Sequence, residues 1–353
     1  MNSYLQSVVT NSVNFGYSQF HRGTAEGHIS EYLPAVPLSN HPAQQASQQA
    51  IQQTGQYAVQ QSQSTASTSA TQRIKRSPIN EFNLCDFGID LGTLLQAIGP
   101  TFDSLALDIY EKRRQEVVFL KSRFPEHLPV LNAFFLDYMS SKAKLSDLSD
   151  LISALSGGEL FALERVGAVR HRSIAKFDVS FHEQVGTVVK LERVSAAGFV
   201  QKTSKNADFR ALPRYFEEAS EQVAGNSAVQ KLLRSVASKV KEQHDEPLHS
   251  LDITLHQVIV SVDAETPFIL PDGIHQDGAD YIVSAIPVIM TGVVAPLSTV
   301  YDVHLQPMLE TRLGIGQGLL HDDRHYWHSV STLFSSGAAG KRGTLGLDVQ
   351  VKK

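Results

Sequence analysis

"PDGIHQDGADY", Pro271 to Tyr281, is the stretch on which the reading of this sequence turns. It runs from a Pro-Asp-Gly turn into the uncharged "YIVSAIPVIMTGVVAPL", Tyr281 to Leu297. His275 and Asp277 stand two residues apart. On an extended chain such residues point to one side, so an imidazole and a carboxylate can chelate together. Taken alone the pair is an ordinary polar turn. A metal site needs a third ligand from another strand. Downstream, "HDDRHYWHSV" offers His321, His325 and His328. His325 and His328 are an odd number apart, so on a regular strand only one of them faces the pair.

The surroundings read as strands. "SIAKFDVSF" and "TVVKLERV" alternate with period two, as do "LDITLHQVIVSV", "STVYDVHL" and "GTLGLDVQVK". Tyr281–Leu297 holds two prolines and a glycine among Val and Ile. It reads as two buried strands with a break between them, not as a membrane span. Short strands with Gly, Pro and Asp turns favour a sandwich or jelly roll. The expected class is mainly β with flanking helices, α+β overall.

Upstream, residues 77–160 read as a helical N-terminal layer. In "DSLALDIYEKRRQEVVFLKSRF", Leu105, Ile109, Val117, Leu120 and Phe124 share one face, with Glu111 to Arg114 on the polar side. "PEHLPVLNAFFLDYMSSKAKL" is a second helix. "SDLSDLISALSGG" is a third, with Ser146 as N-cap and Gly157-Gly158 as the stop. The core spans 161–353, with a helical insertion at about 208–243. Residues 1–76, rich in Gln and Ser, hold too few large apolar side chains to offset ordering entropy and read as a disordered tail. "RIKRSP" after it reads as a solvated hinge.

A net charge of −5 argues against a nucleic-acid partner. One cysteine, Cys85, excludes an intrachain disulfide and a thiolate metal site, and is expected to be a small buried apolar side chain. The first residues lack the pattern of a secretory signal. A cytoplasmic protein with no membrane attachment is expected.

On the last strand, "KRGTLGLDVQV", Leu345, Leu347, Val349 and Val351 share one face, and Arg342, Thr344 and Gly346 the other. A guanidinium with a hydroxyl beside it suits a carboxylate. Two histidines and one carboxylate on one side of an ion form the facial triad of non-haem iron(II) oxygenases, with open positions opposite. Those positions suit a bidentate 2-oxo acid and O2. Arg342, with Thr344, would then anchor the far carboxylate of 2-oxoglutarate.

"GIHQDGADYIVSAIPV", "STVYD", "DDRHYWHSVS" and "KRGTLGLDV" resemble the bacterial 2-oxoglutarate/Fe(II)-dependent dioxygenase family that includes L-isoleucine 4-hydroxylase. "LHQVIV" and "VRHRSIAKFDV" add to the likeness, which runs from about Phe161 to Val351. The family's D-D-R-x-x-x-H pattern falls on Asp322, Asp323, Arg324 and His328. It therefore selects His328 as the distal ligand beside His275 and Asp277. The family's arginine falls on Arg342. Where such enzymes usually carry glycine before Ser-Thr-x-Tyr, this chain has Ala295-Pro296-Leu297, so the pocket edge there departs from the pattern.

The resemblance implies a double-stranded β-helix (jelly roll, cupin-like) core that binds Fe(2+), 2-oxoglutarate and O2. It implies hydroxylation of an unactivated C–H of a small molecule, with release of succinate and CO2. A free aliphatic L-amino acid is the first substrate expected. A peptide, a biosynthetic intermediate or a thioether sulfur are alternatives, as is a non-catalytic binding protein on the same fold. Tyr301, Gln257 and Trp327 are candidate pocket residues. Arg170 and Arg172 share a strand face that could meet a substrate carboxylate. Arg324 reads as a structural ion-pair partner, and His321 and His325 as surface or structural.

Overall fold

Alternating apolar side chains make the strands of this chain, and among the described residues their pairing makes two antiparallel sheets. The computed structural model describes residues 78–352 except 168, 183–185, 197, 202–208 and 264–272. The Gln/Ser-rich segment 1–76 lies outside the described residues.

The large sheet contains β1 (Ile79–Asn83), β2 (Arg170–Phe181), β3 (Val188–Val194), β4 (Ser250–Asp263), β5 (Tyr281–Thr291), β8 (Gln317–Asp322) and β10 (Ala339–Val351). Their order is β1-β8-β5-β10-β4-β2-β3. The small sheet is β7 (Pro307–Thr311), β6 (Ser298–Tyr301) and β9 (Trp327–Val330), in that order. A bridge between His275 and His328 continues it on the far side of β9. From β4 onward the chain therefore changes sheets repeatedly. It runs from β4 to the His275 bridge, to β5, to β6 and β7, to β8, to β9 and back to β10. That winding is the jelly roll, open and not closed into a barrel. Ala285 of β5, Leu319 of β8 and Val300 of β6 pack together between the sheets.

The outer face of the large sheet carries Leu251, Ile253, Leu255, Leu345, Leu347 and Val349, all buried. Against it lie α1 (Leu91–Ile98) and the amphipathic α7 (Ser227–Gln243), with α6 (Glu221–Ala224) just before it. Asn226 caps α7, its side chain accepting from Ala228 N and Val229 N. Next to this core α2 (Ile109–Arg123), α3 (Leu128–Met139), α4 (Ser149–Ser153) and α5 (Gly157–Arg165) enclose an apolar cluster of their own around Leu120, Leu131 and Phe134.

Several expectations need correction. Ile79–Asn83, read as the start of a helical layer, is a strand that pairs with β8 at the edge of the large sheet. Gly157-Gly158 opens α5 instead of ending a helix. Ser156 supplies a capping box there with Glu159, which outweighs the poor helix propensity of two glycines. Ser146 caps no helix. It lies inside a short 3-10 turn, Leu145–Leu148, whose N-cap is Lys144. Tyr281–Leu297 is a single strand as far as Thr291, because the ladder to β10 absorbs Pro287 through shifts in register. Among the described residues of the 208–243 region, α-helix is confined to α6 and α7. Ile109 is exposed, while Glu111 and Arg114 are buried as an ion pair at 2.8 Å. Cys85 is exposed, because its neighbour Leu84 takes the buried position of that turn.

Candidate active site

His275, Asp277 and His328 converge, although β5 through β8 separate the pair from the third residue. The backbone makes this happen. His275 N donates to His328 O and His328 N to His275 O, each at 2.9 Å, so the two histidines sit side by side. Their rings lie 4.2 Å apart. His275 Nε2 is 3.5 Å from Asp277 Oδ1, and His328 Nε2 is 3.6 Å from Asp277 Oδ2. One donor atom from each of the three lies within 4.8 Å of the others. Imidazole nitrogen and carboxylate oxygen bind divalent iron at about 2.0–2.2 Å, so ligands on one octahedral face stand about 3 Å apart, and each His–Asp separation would close by about half an ångström around one ion. The donor set therefore fits iron(II).

The tautomers suit that role. His275 Nδ1 donates to Gly273 O at 3.1 Å, which leaves Nε2 with its lone pair toward Asp277. Burial pushes the Asp277 carboxyl up, but His275, His328 and Arg210 outweigh it and hold the group well below the usual carboxylate range. Gln201 Nε2 donates to Asp277 Oδ1 at 3.2 Å. Arg210 donates to Gln276 O at 3.0 Å, fixing the residue between the pair.

Asp323 underlies the site, in a role that its D-D-R context alone did not indicate. It is buried, and its Oδ2 accepts from Gly278 N at 2.7 Å and Ala279 N at 3.1 Å. It thus holds the turn that follows Asp277. Its Oδ1 stands 3.8 Å from His328 Nδ1, and neither atom has a hydrogen-bond partner among the described residues. Burial, with the Asp277 charge, pushes the Asp323 carboxyl up to about 8. Its D-D-R context was visible, but no spacing rule says which carboxylate turns inward.

His321, Asp323 and His328 form a second close group of possible ligands. His321 is fully buried, and burial pushes its imidazole down to about 4. None of its three members lines either cavity described next, whereas Asp277 of the first group lines both.

A cavity of about 190 Å3 adjoins Asp277. Arg342, Thr344, Gly346 and Asp348 of β10 line it, as their shared face requires. Burial pulls the Arg342 guanidinium down to about 10, and its Nε has no partner among the described residues. His256 of β4 stands beside them, its Nε2 3.3 Å from Asp348 Oδ2 and its Nδ1 accepting from Arg172 at 2.5 Å. Arg170 and Arg172 of β2 also line this cavity. A second cavity of about 250 Å3 shares Phe199, Gln201, Asp277 and Asp348 with the first.

Three candidate pocket residues lie elsewhere. Gln257 faces away, because its neighbour His256 faces in. It donates to Thr101 Oγ1 at 2.7 Å and accepts from Ser173 Oγ at 3.1 Å. Tyr301 and Trp327 are paired across β6 and β9 and line neither cavity, since Val300 and His328 take the inward positions. Tyr301 OH meets Ser329 Oγ at 3.0 Å. Arg324 is the structural partner expected, gripping Asp322 with two bonds of 3.0 and 2.6 Å. His325 is exposed.

Comparison with known proteins agrees with this chemistry. No curated protein matches the sequence. Solved structures similar to it include IDO from Bacillus thuringiensis, at 17% identity and TM-score 0.42, covering 52% of this chain and 79% of that one. A bsmA homolog from Methylobium petroleophilum PM1 is 21% identical with TM-score 0.44, covering 62% and 85%. The Fe(II)/α-ketoglutarate-dependent dioxygenase TqaL is 14% identical with TM-score 0.39, covering 69% and 91%. The family model described as 2OG-Fe dioxygenase matches residues 161–348, more than half of the chain. The chain belongs to the 2OG-Fe dioxygenase family and is a non-haem iron oxygenase that uses 2-oxoglutarate and O2.

Proposed function

We propose that His275, Asp277 and His328 hold the iron, that Arg342 and Thr344 anchor 2-oxoglutarate, and that the enzyme hydroxylates a small amino acid with an aliphatic chain. The observation that carries the reading is the convergence of both Nε2 atoms on the Asp277 carboxylate, beside a cavity that also holds Arg342. When bound, iron(II) with 2-oxoglutarate and dioxygen supplies the oxidant, releasing succinate and CO2 and transferring one oxygen atom to a substrate C–H bond.

The chain's own residues do the placing. Gln201 holds Asp277 Oδ1, leaving Oδ2 toward His328. Arg342 meets the distal carboxylate of 2-oxoglutarate as a fork of donors, and Thr344 adds a hydroxyl on the same face. Val258, Val260, Val283, Ala285 and Leu333 line the same cavity and keep water from the reacting carbon. Arginines on the β2 side give the substrate carboxylate a place apart from the cosubstrate.

The test is succinate release from 2-oxoglutarate with iron(II) in air, with and without a panel of amino acids and their derivatives. Stimulation by one of them supports the reading. The Arg342→Ala protein should need about 10–100-fold more 2-oxoglutarate for half-saturation, the loss of a charge-assisted pair. Unchanged saturation would contradict the anchor, and stimulation by peptides alone would contradict the substrate class.

A further inference from the structure

Around the cavity beside Asp277 stand six arginines (Arg114, Arg170, Arg172, Arg210, Arg214 and Arg342) and four carboxylates (Asp108, Glu111, Asp277 and Asp348). The formal excess is two positive charges. A divalent iron and a doubly charged 2-oxoglutarate cancel each other and leave that excess in place. Low-dielectric surroundings do not tolerate it without an anion.

Two of these arginines, Arg172 and Arg214, are buried together at one side of the cavity. Their guanidiniums lie 4.2 and 5.8 Å from the ring centre of Phe216. Arg214 also faces the rings of Phe199, at 5.0 Å, and Phe209, at 5.7 Å. Burial and the neighbouring Arg172 charge pull Arg214 down to about 10. Asp108 Oδ2 offsets part of the charge, lying 3.6 Å from Arg172 and 3.3 Å from Arg170. Each of Arg172 and Arg214 still keeps a buried Nε–H with no hydrogen-bond partner among the described residues. Arg214 connects to the metal side through one side chain. It donates to Gln201 Oε1, and Gln201 donates to Asp277 Oδ1. A ligand gripped by Arg214 is thus about one glutamine side chain from the metal ligand.

We propose that Arg172 and Arg214, backed by Phe199 and Phe216, form a second anion subsite that binds the substrate's carboxylate, and that the substrate is net anionic. This rests on the proposed function and narrows it. An aliphatic amino acid whose ammonium is masked by acylation suits the site better than a neutral zwitterion.

The test is calorimetric titration of the anaerobic full-length protein, loaded with iron(II) and saturating 2-oxoglutarate. The probes are N-acetyl-L-leucine, L-leucine and N-acetyl-L-leucinamide, one aliphatic chain in three charge states. N-acetyl-L-leucine should bind tightest, L-leucine more weakly, and the amide at least about 10-fold more weakly than the acid. Arg214→Gln and Arg172→Gln should each weaken N-acetyl-L-leucine by about 10–100-fold, with Arg214→Lys in between. Affinity for 2-oxoglutarate, measured first on each variant, reports folding and should stay within about twofold. Arg342→Ala should show the reverse pattern, so failure of the cosubstrate assignment is seen separately. Equal binding of acid and amide, no binding of any probe, or arginine variants that bind N-acetyl-L-leucine normally would overturn the subsite.

Discussion

At the scale of single residues, Asp323 is placed to hold from behind the histidine proposed as the distal iron ligand. His328 must carry its proton on Nδ1 if Nε2 is to face Asp277, and Asp323 Oδ1 stands 3.8 Å from that Nδ1. A small rotation of the ring closes this to a hydrogen bond, and the other carboxylate oxygen already fixes Gly278 and Ala279. Carboxylates in this position orient a ligand and raise its basicity. Asp323→Asn should therefore weaken iron(II) binding by about 10–100-fold, measured against a competing chelator. Unchanged affinity would mean that Asp323 serves only the turn. The sequence exposed His275 and Asp277 by spacing, and Arg342 and Thr344 by strand parity. It could not show Gln201 or Arg214, which lie on irregular chain with no period to read. Asp348 follows from the same parity as Arg342, and could have been added to that face.

At the scale of elements, period-two alternation carried the reading furthest. It put Leu345, Leu347 and Val349 against the helices and Arg342 and Thr344 in the cavity. It was weakest where several residue types suit more than one state. Ile79–Asn83 is too short to declare a strand, and pairing with β8 decides it. That pairing brings Phe82 opposite Gly318, where an added Cβ would lie 2.2 Å from the Phe82 ring. The ring belongs to the main core and cannot simply swing out. Gly318→Ala should lower unfolding stability by roughly 1–3 kcal/mol, read from denaturant midpoints at constant slope. A change below about 0.5 kcal/mol would show that β1 yields and contributes little to the sheet.

At the scale of the whole molecule, the jelly-roll winding creates the site. Each change of sheet brings distant chain together, so that His275 pairs with His328 and β10 inserts between β4 and β5. Among the described residues, no helix is long and apolar enough to cross a membrane. Composition and motif order pointed to this fold, while the helical layer that supplies Asp108 and Glu111 to the cavity wall was legible only as helix, not as part of a site. The most direct measurement is a crystal structure of the iron(II)- and 2-oxoglutarate-bound protein, with the ion located by its anomalous signal. It should place one iron on His275 Nε2, Asp277 Oδ2 and His328 Nε2, with the distal carboxylate of 2-oxoglutarate on Arg342. An ion held instead by His321, Asp323 and His328, or a cosubstrate away from Arg342, would contradict the assignment.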